Sequence, residues 1–143
     1  MDPITMAETD VVMLELPYTV ELSGVIRAVR IARDHGYRVL LAHPEKYDAF
    51  KYQWDEALNF LRENPDVMVQ LEAWDMGKPK GETCSWRFIE SRTATVIGTD
   101  SHGYRRPPCF DRAVNALTEW ARDDAERRRY AELLLSGNGQ MFR

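Results

Sequence analysis

Apolar residues cluster in four short runs, separated by longer stretches in which they recur at helical spacing. The runs are rich in β-branched residues and lack strict alternation, which is typical of parallel strands buried on both faces. They lie at Val11–Leu16, Val39–Ala42, Val67–Leu71 and Thr95–Gly98. We therefore predict four parallel β-strands.

The stretches between the runs predict helices. The first, over 22–32, ends at Gly36, which suits the left-handed residue that follows a helix. The second, over 54–61, ends before Pro65, because proline does not continue a helix. A shorter helix is predicted around 86–89, and two more follow the fourth run. The resulting order, β-α-β-α-β-α-β-α-α, indicates an α/β domain with a parallel sheet.

A side chain able to bind metal follows each predicted strand. These residues are Glu15, His43, Glu72 and then Asp100 with His102. From Glu15 to Asp100 they recur every 28 or 29 residues, which is one βα unit per step. In barrels built from βα units, the chemistry lies at the carboxyl ends of the strands. The repeat therefore predicts that these side chains meet in one site.

Asp100 and His102 combine two kinds of metal ligand. They are two positions apart, so in extended backbone their side chains point to the same side. A carboxylate and a neutral imidazole together suit Mn²⁺, Fe or Zn²⁺. The alternative is that Asp100 caps the following turn and His102 only accompanies it. For His43, which directly follows an apolar run, the alternative is a structural histidine.

Two glutamates stand next to apolar strand residues. Glu15 lies within the sequence LEL, where an ionised carboxylate is costly unless it is paired or bound to a metal. Glu72 has the same setting, although Lys78 or Lys80 offers a charge that would neutralise it. The sequence alone leaves ligand and ion-pair roles open for Glu72.

Arg105 and Arg106 precede two prolines, which stiffen the turn. A guanidinium is planar and matches the geometry of a phosphate, so we expect one of these arginines to contact a phosphate. The alternative is that both are surface arginines at the start of a helix.

Charge and composition exclude several classes of protein. The net charge of −4 does not favour nucleic-acid binding, and acidic residues flank the basic run Arg127–Arg129. No apolar stretch approaches the roughly 18 residues that span a bilayer, and no signal peptide is indicated. Cys84 and Cys109 are too few for a disulfide scaffold, and neither has the Arg six positions later that a cysteine-dependent phosphatase requires. We expect a cytoplasmic protein with reduced cysteines and no membrane partner.

Two motifs resemble those of a known superfamily. "LLAHPEKY" resembles the His-Pro-Glu-Arg-Tyr motif of the PHP (polymerase and histidinol phosphatase) superfamily, and "IGTDSHGYRRPP" resembles its Ser-Asp-Ala-His…Arg-Pro motif. With "VMLELP", "VMVQLEAWDMGKPKG" and "NGQMF", the order is similar to that of bacterial metal-dependent protein-tyrosine phosphatases of capsule and exopolysaccharide control. The resemblance covers nearly the whole chain from Val11 onward.

The resemblance implies a metal-dependent phosphatase that prefers phosphotyrosine in a phosphorylated protein. Its cofactors would be two or three divalent ions, Mn²⁺ first with Fe or Zn²⁺ as alternatives, which activate a hydroxide for attack on phosphorus. By resemblance, the metal ligands would be Glu15, His43, Asp100 and His102, with Glu15 bridging two ions.

The same resemblance implies which residues contact the substrate phosphate. The chain also departs from the family pattern at several positions. Arg105 or Arg106 would hold the substrate phosphate, with Lys46 as a secondary contact. Lys46 stands where this branch usually has Arg, which gives a point charge instead of a planar fork. Glu72 replaces a usual Asn. The opening His-x-His motif and the next acidic ligand are absent, so we expect weak or incomplete metal occupancy in the isolated chain.

The chain length predicts part of a barrel. A closed βα barrel takes about 250 residues, so four βα units form about half of a distorted TIM-like barrel. We expect residues 1–10 to be a lead-in and 11–143 to be the C-terminal part of a PHP-type domain. A homodimer partner or a missing N-terminal half would complete the barrel.

Two other functions remain open from the sequence. One is another PHP phosphoesterase that acts on histidinol phosphate, a sugar phosphate or a nucleotide phosphate. The other is a non-catalytic PHP remnant that serves as an assembly or regulatory module.

Overall fold

Four parallel strands alternate with helices in the computed structural model, which describes residues 5–6, 9–101 and 108–136. The strands are β1 (Val11–Leu14), β2 (Arg38–Ala42), β3 (Met68–Glu72) and β4 (Val96–Gly98). The helices are α1 (Leu22–Asp34), α2 (Asp48–Tyr52), α3 (Trp54–Glu63), α4 (Ala73–Met76), α5 (Ser85–Glu90), α6 (Phe110–Ala121) and α7 (Ala125–Leu135). The predicted α/β class and the alternation of strands with helices are confirmed.

The sheet has the order β1-β2-β3-β4, and every neighbouring pair is parallel. Each strand therefore lies beside the next strand in the sequence, as in the wall of a βα barrel. All four carboxyl ends consequently meet at one edge, here called the carboxyl edge of the sheet. This topology is what the repeat of 28 or 29 residues requires.

The two faces of the sheet are covered differently. One face packs against the helices in the main core, which includes Leu41 and Leu71 together with Val25 of α1 and Phe88 of α5. On the other face, the buried residues of a smaller cluster all come from strands, and Met6 packs against them. Those strand residues are Val11, Leu40, Met68 and Val96. Helices on one face and strand side chains on the other are the arrangement of part of a TIM-like barrel.

The predicted helix ends agree with the structure. The residue after the cap of α1, Gly36, has a φ of +84°, a left-handed conformation that glycine adopts without a Cβ clash. α3 ends at Glu63, just before the Asn64-Pro65 pair. Local sequence therefore determines where these helices stop.

The structure also differs from the expected elements. A 3-10 turn, Pro44–Lys46, and the short helix α2 precede α3. Another short helix, α4, directly follows β3. These three elements were not predicted, because runs of three to five residues are too short to show helical periodicity in the sequence.

Within the described ranges, no helix combines the length and the apolar character needed to cross a bilayer. Cys84 is half-buried and Cys109 is buried, and both are free cysteines. Thr5, inside the predicted lead-in, forms an antiparallel bridge with Val12 of β1.

Candidate functional site

Glu15 and His43 lie together at the carboxyl edge of the sheet. Glu15 follows β1 and His43 follows β2, and β1 and β2 are paired neighbours. The Oε1 atom of Glu15 is 3.3 Å from Nε2 of His43, although the two residues are 28 positions apart. The spacing of the repeat therefore leads to a real contact between two of the predicted metal ligands.

Glu15 is more exposed than its sequence suggests. β1 ends at Leu14, so Glu15 lies beyond the strand, and its side chain is 66% exposed. The expectation of a carboxylate inside an apolar strand was wrong, because the apolar residues that flank it pack while the carboxylate faces outward. The His43 side chain, by contrast, is only 2% exposed.

Two tyrosines fix the His43 ring. Tyr18 and Tyr47 meet it edge-on, with ring centroids 5.8 Å and 6.0 Å from that of the imidazole. The buried Tyr47 hydroxyl donates to the carbonyl of Ala42 at 2.7 Å and accepts from the backbone N–H of Leu16 at 3.0 Å. Tyr47 thus joins the residue before His43 to the residue after Glu15, which holds the pair in register.

The backbone at His43 and Asp100 is unusual. His43 has a φ of +38° and Asp100 a φ of +48°, a left-handed region that non-glycine residues rarely occupy. Only one other non-glycine residue in the described ranges, Arg92, has a positive φ. Such conformations cost of order 1–3 kcal/mol and concentrate at functional sites.

Asp100 departs from its predicted conformation. The backbone was expected to be extended through Asp100 and His102, but the left-handed φ at Asp100 turns the chain there. His102, Arg105 and Arg106 lie outside the described residues, so their predicted roles stay predictions. The charge of Asp100 acts on the carboxyl of Glu45, which places Asp100 in the same neighbourhood.

Glu72 and Lys46 form an ion pair at this edge. The Nζ atom of Lys46 contacts Oε2 of Glu72, whose side chain is 1% exposed. Lys78 or Lys80 was the predicted partner of Glu72. That prediction was wrong, because Lys78 pairs with Asp75 and Lys80 pairs with Glu90. The 3-10 turn after β2 brings Lys46 back toward the end of β3. Its predicted contact with substrate phosphate stays a prediction.

No role was predicted for Glu45, which is the third residue of the His-Pro-Glu motif. It is 2% exposed, and its Oε1 atom accepts a hydrogen bond of 2.7 Å from the backbone N–H of Glu72. Burial raises the pKa of Glu45 to about 8, and the charges of Asp75 and Asp100 add to this, while a backbone hydrogen bond and Lys46 oppose it. The sequence feature that could have pointed to Glu45 is its place in the His-Pro-Glu motif.

The donors fit part of a cation site. A carboxylate next to an imidazole suits Mn²⁺, Fe or Zn²⁺, and the buried Nδ1 of His43 has no hydrogen-bond partner among the residues that the structure describes. Within the described residues, no three His, Cys, Asp or Glu side chains gather closely enough to hold a metal. The described residues therefore supply a pair of donors rather than a complete coordination shell.

A cleft of about 670 Å³ opens beside the pair. Its near end is lined by Glu45, Lys46 and Tyr18, whose ring contacts His43. It continues past α2 and α5, whose residues form its walls. The volume is within the range of small-molecule and cofactor sites, roughly 300–1,000 Å³.

Comparisons with known proteins bear on this arrangement. A sequence model of the family described as "Capsular polysaccharide synthesis, CpsB/CapC" matches residues 1–141. Among solved structures, a chain from the crystal structures of YwqE from Bacillus subtilis and CpsB from Streptococcus pneumoniae, described as unique metal-dependent tyrosine phosphatases, superposes with a TM-score of 0.67 at 19% identity. No curated protein matches the chain.

That structural match covers 94% of the chain and 56% of the matched chain. The chain therefore spans little more than half the length of that relative. At 19% identity, the likeness establishes the fold.

Proposed function

Since this chain belongs to the CpsB/CapC family of capsular polysaccharide synthesis, we propose that it takes part in the metal-dependent hydrolysis of phosphotyrosine in a phosphorylated protein. Membership confirms the resemblance to the PHP phosphatases of capsule control. The proposal extends this membership to a reaction and a substrate.

The contact between Glu15 and His43 carries the proposal. These side chains combine a carboxylate and an imidazole at the carboxyl edge of a parallel sheet, where βα barrels place their chemistry. The left-handed backbone at His43 and Asp100 supports the same location, because strained residues concentrate at functional sites. Glu15, His43, Asp100 and His102 are the proposed metal ligands.

A bound divalent cation would supply a water of lowered pKa and would offset negative charge on the phosphoryl group. The residues of the chain would hold and orient this centre. Tyr18 and Tyr47 fix the ring of His43, and the hydroxyl of Tyr47 ties the residues beside Glu15 and His43 together.

Substrate phosphate is proposed to lie near Lys46, with Arg105 or Arg106 supplying a guanidinium. Lys46 already pairs with Glu72, so its charge is fixed at the carboxyl edge. A lysine in this position attracts a phosphate as a point charge and does not impose bidentate geometry.

Phosphate release from matched substrates tests the proposal. The protein is assayed with Mn²⁺ on a phosphotyrosine peptide, the corresponding phosphoserine peptide, histidinol phosphate and a sugar phosphate. We expect the phosphotyrosine peptide to give the highest kcat/KM, with loss of activity on chelation and in His43→Ala. Faster hydrolysis of a small ester would favour another phosphoesterase activity, and no hydrolysis of any substrate would overturn the proposal.

A further inference from the structure

The cleft beside the Glu15–His43 pair is much larger than a phosphate requires. Only its near end, at Tyr18, Glu45 and Lys46, borders the proposed metal ligands. The rest extends along α2, α5 and the segment 78–84. A substrate held by its phosphate at the near end would therefore lay neighbouring groups against these walls.

The lining of the cleft has a small excess of basic residues, although the chain as a whole carries a net charge of −4. Four acidic residues line the cleft: Glu45, Asp75, Glu82 and Glu90. Five basic residues line it: Lys46, Lys51, Lys78, Lys80 and Arg87. Three of them already have acidic partners, since Lys46 pairs with Glu72, Lys78 with Asp75 at 2.6 Å, and Lys80 with Glu90 at 3.0 Å.

Lys51 of α2 and Arg87 of α5 differ from the other three. Both are exposed, and within the described residues neither forms an ion pair. They come from different helices and both line the cleft. Burial raises the pKa of the Cys84 thiol, the positive charges of Arg87 and Lys51 oppose that rise, and the charges of Glu45 and Asp75 add to it. The cleft is thus lined by two cations from different helices that form no ion pair with a carboxylate of the described residues.

The remaining lining fits a peptide. Tyr52 is 80% exposed at the wall, and the ring of Trp86 lies 4.7 Å beneath the ammonium of Lys80. Tyr and Trp are enriched at binding interfaces, because their rings are apolar and each also has a polar group that can hydrogen-bond. Two exposed carboxylates also line the cleft: Glu90 pairs with Lys80, and Glu82 has a charge opposite to that of Lys51 and Arg87.

We propose that Lys51 and Arg87 form a subsite for the carboxylate side chains that flank the phosphotyrosine of a peptide substrate. The proposal rests on the function proposed above and adds the class of substrate: an acidic peptide. Charge complementarity at exposed sites acts mainly on recognition and association, so the preference weakens as salt screens it.

Binding of two short fluorescent phosphotyrosine peptides tests the subsite. In one the phosphotyrosine is flanked by glutamates, and in the other by glutamines at the same positions. Fluorescence anisotropy gives both Kd values at low and high salt. We expect the acidic peptide to bind about three- to tenfold more tightly at low salt. Equal affinity would overturn the subsite.

Substitutions with opposite expected effects test which residues cause the preference for the acidic peptide. Lys51→Gln combined with Arg87→Gln is expected to bring the affinity ratio of the two peptides close to one. Glu82→Gln, which removes the opposing charge, is expected to raise the ratio. Arg30→Gln combined with Arg62→Gln makes the same charge change on exposed positions of α1 and α3 outside the cleft, and serves as the matched control. A ratio that changes equally in the control pair would contradict the assignment.

The same two peptides distinguish failure of the proposed subsite from failure of the proposed reaction. Hydrolysis of both peptides with equal kcat/KM and equal Kd would overturn the subsite and leave the phosphatase activity standing. A preserved binding preference without hydrolysis in the presence of Mn²⁺ would overturn the reaction and leave the cleft as an acidic-peptide site. Since the substituted residues are exposed, circular dichroism is expected to show unchanged folding in every variant.

Discussion

The side-chain carboxyl of Glu45 accepts a 2.7 Å hydrogen bond from the backbone N–H of Glu72. This bond joins the turn after β2 to the end of β3, so it connects two segments of the carboxyl edge. Glu45 is almost fully buried, and its other carboxyl oxygen, Oε2, has no hydrogen-bond partner in the described part of the chain. A carboxyl in this setting favours its protonated form.

Glu45 makes stability depend on pH. Its pKa is raised from 4.5 to about 8 by burial, so the folded protein retains a proton that the unfolded chain releases. Its contribution to the free energy of unfolding is fully present below pH 4.5 and is lost as the pH rises through about 8. Glu45→Gln keeps an acceptor for the N–H of Glu72 and removes this titration.

We therefore expect Glu45→Gln to become progressively more stable than the native protein from about pH 5 to pH 8, by a few kcal/mol in all. Urea unfolding in the presence of a chelator measures this difference. Glu56→Gln, on the exposed side of α3, is the control. A stability difference that does not change with pH would contradict the assigned burial.

Tyr47→Phe tests the link between β1 and β2. Removing the hydroxyl leaves the carbonyl of Ala42 and the N–H of Leu16 without this partner. We expect the free energy of unfolding to fall by about 1–3 kcal/mol. Tyr52→Phe removes a hydroxyl from a ring that is 80% exposed, and we expect a much smaller loss there. Equal effects at the two positions would show that the Tyr47 hydroxyl does not join the strands.

Lys46→Ala is expected to destabilise the protein because it leaves the buried Glu72 carboxylate without the ammonium of Lys46. Removing one partner of a buried ion pair costs about 3–5 kcal/mol. Thermal and urea unfolding measure the loss. The double variant Lys46→Ala with Glu72→Gln lacks the buried charge, so it should recover much of the stability. A double variant no more stable than Lys46→Ala would argue against this interpretation.

The strands and the helix ends could be predicted from the sequence, because each depends on residues that are close together along the chain. The four β-branched runs became the four strands, and Gly36 and Pro65 marked the ends of α1 and α3. The short helices around the carboxyl edge were not predicted, because four or five residues carry no helical period.

The candidate site was predictable only in part. The repeat of 28 residues brought Glu15 and His43 into contact, because one βα unit returns the chain to the same edge of the sheet. The partner of Glu72 was not predictable, since the 3-10 turn after β2 decides that Lys46 reaches it. The burial of Glu45 depends on the same turn and leaves no periodic signal.

Mn²⁺ binding to the native chain and to Glu15→Gln and His43→Ala, measured by isothermal titration calorimetry, tests the proposed metal centre most directly. His35→Ala, at the end of α1, is the matched control for loss of an imidazole. We expect the native chain and His35→Ala to bind Mn²⁺ alike, and Glu15→Gln and His43→Ala to bind on the order of tenfold more weakly or worse. No binding by the native chain, or binding that neither substitution weakens, would contradict the assignment of Glu15 and His43 as metal ligands.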